Sequence, residues 1–434
     1  MGPGLRFDAT IRHADGGYSS AAERLTVAQD VVGSIPTSRP NLRTIPDHSV
    51  TPEPVTEPTL SEESTFLQMQ SADACLHDGQ RSRTEPGRGT WFTSFEPLPW
   101  LRGGHAQTLA GNYWRRIPFE IPFESVAVEV DPTDGSKVLC HCHWQPEEVR
   151  ADRLTILLVH GLEGSSHSQY IRGITGLAWN AGCNVIRMNM RNCGGTDTWS
   201  PTLYHSGLSD DVGAVLSHFV GFCGLRRVAM VGYSMGGNLV LKLAGEFGDR
   251  APEWLLAAVG VSPAIDLAES ADALHDPWNR MYEWHFLRNL MRRFRRKAEL
   301  FPEIYSTNGT GSIRTIREFD ARITAKYSGF SGADDYYFQA ASARVVHRIA
   351  IPALVLHAVD DPFIRLVPSS RDALLANPHV TLVETQHGGH CAYLQKTNGT
   401  HAENPGHVPQ DCRHWAEATL VRYLMAVAGH DHGG

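Results

Sequence analysis

Short apolar runs punctuate the chain at 154–159, 183–188, 228–231, 255–261, 353–357 and 380–383. Each is apolar almost throughout instead of alternating with polar residues, the pattern of a strand covered on both faces. Between them, 170–181, 208–222 and 238–247 repeat their apolar residues at helical spacing. Strands alternating with helices predict an α/β fold: a mostly parallel central sheet with helices on both faces. Ahead of this series, 124–130 and 137–144 read as two edge strands of a hairpin, joined by Asp131-Pro132-Thr133-Asp134-Gly135. The alternation breaks over 264–347, where a helical cap over the core is expected. Inside that stretch Phe286, Leu287, Leu290, Met291 and Phe294 share one helix face, with arginines around it. We read this as a cap helix packed on the core, its basic face solvated. A sharper reading has the helix rest on anionic lipid and admit an acyl substrate.

Residues 1–90 follow a different rule. They are rich in Pro, Ser, Thr and charge and show no sustained periodicity, so little apolar burial offsets the entropy of ordering them. This arm is expected to be disordered, or to reflect a start site nearer Met69. The domain reading is therefore an extension at 1–90, a core at 91–263 and 348–434, and the cap at 264–347. A formal charge of −8 argues against a nucleic-acid partner, which a net basic face would attract. No stretch is apolar for long enough to span a bilayer, and no secretory signal opens the chain. Eight cysteines in 434 residues do not form a disulfide framework, which points to a reducing cytoplasm.

The candidate chemistry begins at Gly232-Tyr233-Ser234-Met235-Gly236-Gly237, directly after the 228–231 strand and before a helix. Strand, sharp turn with a serine, and helix make a nucleophile elbow, in which the turn pushes the Ser234 hydroxyl into a cleft. The helix aims its first amides at the site, so the Met235 N–H is placed to stabilise an oxyanion. His160-Gly161-Leu162-Glu163-Gly164 follows the 154–159 strand and offers the Leu162 N–H as a second donor. His160 itself is expected to brace this loop. An acid and a base are then needed later in the chain. Asp360-Asp361-Pro362 follows the 353–357 strand and His387-Gly388-Gly389-His390 follows the last strand. We favour Asp361 over Asp360 and His390 over His387, with the choice between the two aspartates left open. Cys140-His141-Cys142-His143 holds metal-ligating residue types, but alternate side chains of a strand point to opposite faces and cannot converge on one ion. Neither a metal nor an organic cofactor is expected.

Several longer stretches accompany the elbow: His105-Ala106-Gln107-Thr108-Leu109, His160-Gly161-Leu162-Glu163-Gly164, Arg187-Met188-Asn189-Met190-Arg191-Asn192-Cys193-Gly194-Gly195-Thr196, Arg317-Glu318-Phe319-Asp320-Ala321-Arg322-Ile323-Thr324, Gly332-Ala333-Asp334-Asp335-Tyr336-Tyr337 and Gly388-Gly389-His390. With them, the chain from about residue 90 onward resembles the YheT-like branch of α/β-hydrolases, related to the mammalian ABHD esterases and phospholipases and the yeast ethyl-ester-forming acyltransferases. The resemblance implies an α/β-hydrolase fold with Ser234 as nucleophile, Asp361 as orienting acid and His390 as base. The expected function is hydrolysis of small-molecule acyl or lipid-like esters through an acyl-enzyme. The alternatives are ester formation with an alcohol in place of water, haloperoxidase-like or lyase use of the same fold, and a binding protein that has lost catalysis.

Overall fold

The computed structural model describes residues 91–114, 121–397 and 408–429. The arm at 1–90 lies outside the described residues. Every apolar run forms a strand. β1 (Glu124–Asp131), β2 (Ser136–His143), β3 (Thr155–Val159), β4 (Asn184–Asn189), β5 (Val228–Tyr233), β6 (Leu255–Val261), β7 (Ala353–Ala358) and β8 (Val380–Thr385) build one sheet in the order β1-β2-β4-β3-β5-β6-β7-β8. From β4 to β8 along the sheet all pairings are parallel; β2 pairs antiparallel with both of its neighbours, β1 and β4. Within the hairpin, β1 is the edge strand but β2 is not. β2 lies between β1 and β4, with Leu139 opposite Asn189 and His143 opposite Val185. Its residues from Cys140 to His143 are accordingly buried on both sides.

Helices cover both faces, which is why the strands are apolar without alternation. In β4, Val185 packs in the cluster with the helices Gln169–Asn180 and Trp415–Val427, while its neighbour Ile186 packs with Ser209–Cys223 and Met235–Phe247. Cys140 and Cys142 join that second cluster. His141 and His143 point the other way, with Nδ1 atoms 3.0 Å from Ser166 Oγ and 2.9 Å from the Pro122 carbonyl.

Between β6 and β7 the described chain is helical and holds its own core, with Leu290, Met291, Phe294, Phe319 and Ile323 at its centre. Its longest helix, Arg280–Leu300, buries the stripe foreseen from its spacing. Two of its basic residues are not solvated. Lys297 is 1% exposed and donates to the Asn192 side chain and to the carbonyls of Asp197 and Ser200. Arg293 Nε lies 2.8 Å from Glu163 Oε1. The loops after β3 and β4 bring these polar groups under the helix, and buried acceptors of that kind require donors. No helix among the described residues is long and apolar enough to cross a membrane.

Candidate active site

β5 ends at Tyr233, and Ser234 follows with φ 55° and ψ −117° before the helix Met235–Phe247 starts. This region of backbone space is strained for a residue with a Cβ. The Ser234 N–H donates to the Val261 carbonyl at 2.9 Å, which ties the turn to the end of β6. Gly236 makes the tight turn feasible: a Cβ there would lie 2.4 Å from the Val159 carbonyl oxygen, so only glycine lets the helix approach β3 this closely. Ser234, Leu162 and Met235 line one cavity of about 120 Å³ that runs beneath the cap. Among the described residues, the amides of Leu162 and Met235 have no protein acceptor. His160 is buried, with Nδ1 2.8 Å from the Gly161 carbonyl, and its Nε2 accepts from the Met190 N–H at 3.1 Å. Those partners fix the proton on Nδ1 and make the ring a brace between β3 and β4. Burial pushes its pKa down to about 4, so it stays neutral.

The acid and base candidates meet across two strand ends. His390 Nδ1 lies 2.8 Å from Asp361 Oδ2, while Asp361 Oδ1 accepts from the amides of Phe363 (3.1 Å) and Ile364 (3.0 Å). Burial alone would raise the Asp361 carboxyl. The charge and hydrogen bond of His390 and the Ile364 amide outweigh it, so Asp361 is held below the usual carboxylate range. Burial likewise disfavours a charged His390, but Cys391 and Asp361 beside it more than compensate and lift it above the ordinary imidazole range. With Nδ1 engaged, Nε2 is left on the far side of the ring, which packs on Phe363 at 4.2 Å. Asp360 serves the loop instead: it accepts from the Gly389 N–H at 2.9 Å and lies 3.3 Å from His387 Nδ1.

The helix Gly104–Tyr113 also supports this loop, which sequence reasoning did not anticipate. Thr108 Oγ1 accepts from the His390 N–H at 2.9 Å and donates to the Gly104 carbonyl at 2.7 Å. Gln107 bonds both the N–H and the carbonyl of Leu394, at 2.8 and 3.0 Å. Gly104 abuts Asp360 so closely that a Cβ would fall 1.7 Å from its carbonyl oxygen. The stretch from His105 to Leu109 was the available signal. A single sequence does not say that it reaches a loop 282 residues away.

Backbone strain marks the same edge of the sheet. Among the described non-glycine residues, positive φ occurs at Glu163, Asn192, Ser234, Ser262, Cys391 and Tyr393, following β3, β4, β5, β6 and β8 at their carboxyl ends. Such conformations persist where the surroundings over-determine them and gather at functional sites. A serine hydroxyl on a strained turn, an imidazole oriented by a buried carboxylate, and free amides at a cavity are the groups that acyl transfer needs.

The chain is similar to several known proteins. The alpha/beta hydrolase fold family profile matches residues 155–397. The esterase YheT of Escherichia coli (strain K12) is 31% identical over 323 residues, covering 73% of this chain and 92% of YheT. Phospholipase ABHD3 of Homo sapiens is 26% identical over 310 residues, 70% of this chain and 74% of that protein. Medium-chain fatty acid ethyl ester synthase/esterase 2 of Saccharomyces cerevisiae is 28% identical over 285 residues, 59% of this chain and 62% of that protein. The chain thus belongs to the alpha/beta hydrolase fold family, in its YheT-like branch of carboxylic ester hydrolases.

Proposed function

We propose that ester cleavage proceeds through an acyl-enzyme on Ser234, with His390 as base and Asp361 as its orienting acid. The observation that carries this reading is the 2.8 Å contact of His390 Nδ1 with Asp361, beside a cavity that opens on Ser234. His390 Nε2 takes the Ser234 proton as Oγ attacks the ester carbonyl, and the amides of Leu162 and Met235 hold the oxyanion. The tetrahedral species collapses, and the leaving alcohol takes the proton from His390. Water, deprotonated by the same nitrogen, then attacks the acyl-enzyme, and collapse returns the proton to Ser234 as the acid leaves. The cap, residues 264–347, supplies much of the apolar wall, including Leu274, Phe286, Leu290 and Phe319, which suits a short- to medium-chain acyl group or a lipid-like ester.

The substrate also bears on the surface the protein meets. Met281, Trp284, Arg288, Arg292 and Arg295 share the outward face of helix Arg280–Leu300, aromatic at one end and basic along the rest. Trp278, just before it, is 86% exposed, and the Arg288 guanidinium lies over the Trp284 ring at 5.3 Å. Apolar rings flanked by arginines match the interface of an anionic lipid layer. On the inner side of the same helix Tyr282 packs on Phe363, which packs on His390, so the helix that carries this face lies close to the reacting groups.

Hydrolysis of p-nitrophenyl esters across a series of acyl lengths is expected to vanish in Ser234→Ala, together with labelling by a serine-directed phosphonate. Unchanged activity in the mutant would overturn the nucleophile. Added ethanol tests the transfer alternative, because ethyl ester accumulating in place of free acid would make the alcohol the preferred acceptor. Because His390 must lose its proton to act and is held above the ordinary imidazole range, kcat/KM should rise with pH through a limb above about 6.5. In Asp361→Asn, kcat should fall on the order of 10⁴-fold, with the residual limb moved to lower pH; an unmoved limb would show that another group is the base. Thr108→Val leaves the His390 N–H without its acceptor and is expected to lower kcat about tenfold with little change in KM, a loss of roughly 1–2 kcal/mol. Thr108→Ser should restore it, and failure of that rescue would make the Thr108 effect one of packing. Co-sedimentation should show binding to anionic vesicles that salt and Trp284→Ala weaken. Equal binding to zwitterionic vesicles, or none, would remove the lipid contact.

A further inference from the structure

Two of the sequence stretches noted at the outset, 317–324 and 332–337, take no part in the acyl-transfer machinery, yet they meet on the wall of the same cavity. The helix that begins with Ile316–Phe319 widens into a π-helical turn at Asp320–Thr324, a rare geometry that recurs at functional sites. Asp320 opens that turn. Its Oδ1 accepts from Thr324 Oγ1 and its Oδ2 from the Tyr337 hydroxyl, each at 2.7 Å. Asp320 lies deep in the protein and still keeps accessible surface, because it opens onto the cavity together with Thr324, Tyr336 and Tyr337.

What Asp320 lacks is a direct ion pair. Among the described residues no lysine, arginine or histidine lies within ion-pair distance of it. Arg317, one turn earlier, is held by Asp272 at 2.9 Å and by Asp334, with its guanidinium over the Tyr337 ring at 5.2 Å. An ionised carboxylate offers about four lone-pair sites, and two are filled here. Burial pushes its pKa up to about 6, against the hydrogen bonds from Thr324 and Tyr337 and the more distant charge of Arg317. Much of the remaining wall is apolar, with Phe319, Leu274 and Leu290, and His205, Ser206 and Ser270 line the same cavity. A buried carboxylate without a direct ion pair is costly, and an apolar residue would fill the place more cheaply were filling its only purpose.

We propose that Asp320, with Thr324 and Tyr337, forms a polar subsite that binds a hydrogen-bond-donating group of the substrate, a hydroxyl or a protonated amine, remote from the ester bond. The cavity contains Ser234 and this subsite, so a single substrate spans both. The proposal rests on the esterase reading above: the ester reacts at Ser234 while its polar end satisfies the open lone pairs of Asp320. An unfunctionalised alkyl end leaves those lone pairs desolvated and unmatched, which is how such a site discriminates between substrates.

The test compares matched esters in two series. One uses p-nitrophenyl esters of plain, ω-hydroxy and ω-amino alkanoic acids of one chain length. The other uses butyrate esters of the corresponding alkanols, diols and amino alcohols. In one series the wild type is expected to favour the hydroxyl- or amine-tipped ester by roughly ten- to hundredfold in kcat/KM, chiefly through KM. In Asp320→Asn, which can still bond Thr324 and Tyr337 but carries no charge, the amine preference should collapse toward unity. The ratio within one protein cancels general damage to the fold. A wild type that favours the plain ester in both series, or a preference that survives in Asp320→Asn, would overturn the subsite. If no ester is cleaved at all, the esterase reading fails separately. The subsite is then decided by thermal stabilisation of Ser234→Ala with an ω-amino alkanol, which should appear there and be absent from Ser234→Ala/Asp320→Asn; no stabilisation would reject it.

Discussion

A serine at φ 55° is the constraint on which the site depends, because that conformation costs about 1–3 kcal/mol and relaxes unless its surroundings forbid it. β5 lies inside the sheet, with Val159 of β3 opposite Gly232 on one side and Val261 of β6 opposite Tyr233 on the other. Beyond the turn, the helix cannot slide, because the first turn is locked by Asn238. Its side-chain amide donates to the carbonyls of Ser206 and Ala340, each at 2.9 Å, and accepts from the Ser342 N–H at 2.7 Å. Two of those partners belong to the segment leading out of the cap. The strained turn is therefore held by the sheet on one side and by the folded cap on the other.

The acid and base loops carry the same logic with weaker backbone support, since neither lies inside a strand. Ser262, itself at positive φ, donates its N–H to Leu356 at 2.7 Å and accepts from the Cys391 N–H at 3.3 Å. Thr108 holds the preceding amide, that of His390. Adjacent backbone groups of the His390 loop are thus gripped from opposite sides, by β6 and by the helix Gly104–Tyr113. This gives residues 101–114 a place in the site although they precede the matched family segment at 155–397.

Apolar pattern made the sheet legible because burial on both faces leaves a continuous run that chance seldom supplies, and the strands begin or end within a residue or two of those runs. Ser234 was legible for a related reason: strand, glycine turn and helix are local, so spacing alone describes them. The limits appear where a side chain chooses a partner far away. Periodicity placed Arg293 and Lys297 on the flank of an amphipathic helix but could not say that the loops after β3 and β4 would bring a carboxylate and carbonyls under that flank. The hairpin's inner strand reads as an edge in the sequence because pairing between β2 and β4 leaves no local mark. Asp360 and Asp361 are adjacent and chemically identical, and only the tertiary position of His390 separates their tasks.

Arg293 also joins the two halves of the site. It bonds the carboxylate of Glu163, whose N–H lies 3.1 Å from the Tyr204 hydroxyl and whose Oε1 accepts from that hydroxyl at 2.6 Å. Glu163 directly follows Leu162, so the loop that presents the Leu162 amide is anchored to a helix of the cap. The same guanidinium reaches the Asn192 carbonyl, and Glu163 and Asn192 are both at positive φ. The position of helix Arg280–Leu300 and the conformation of two strained residues, one of them next to Leu162, are therefore fixed by the same guanidinium, so the helix over the cavity and the loop beneath it are built as one unit.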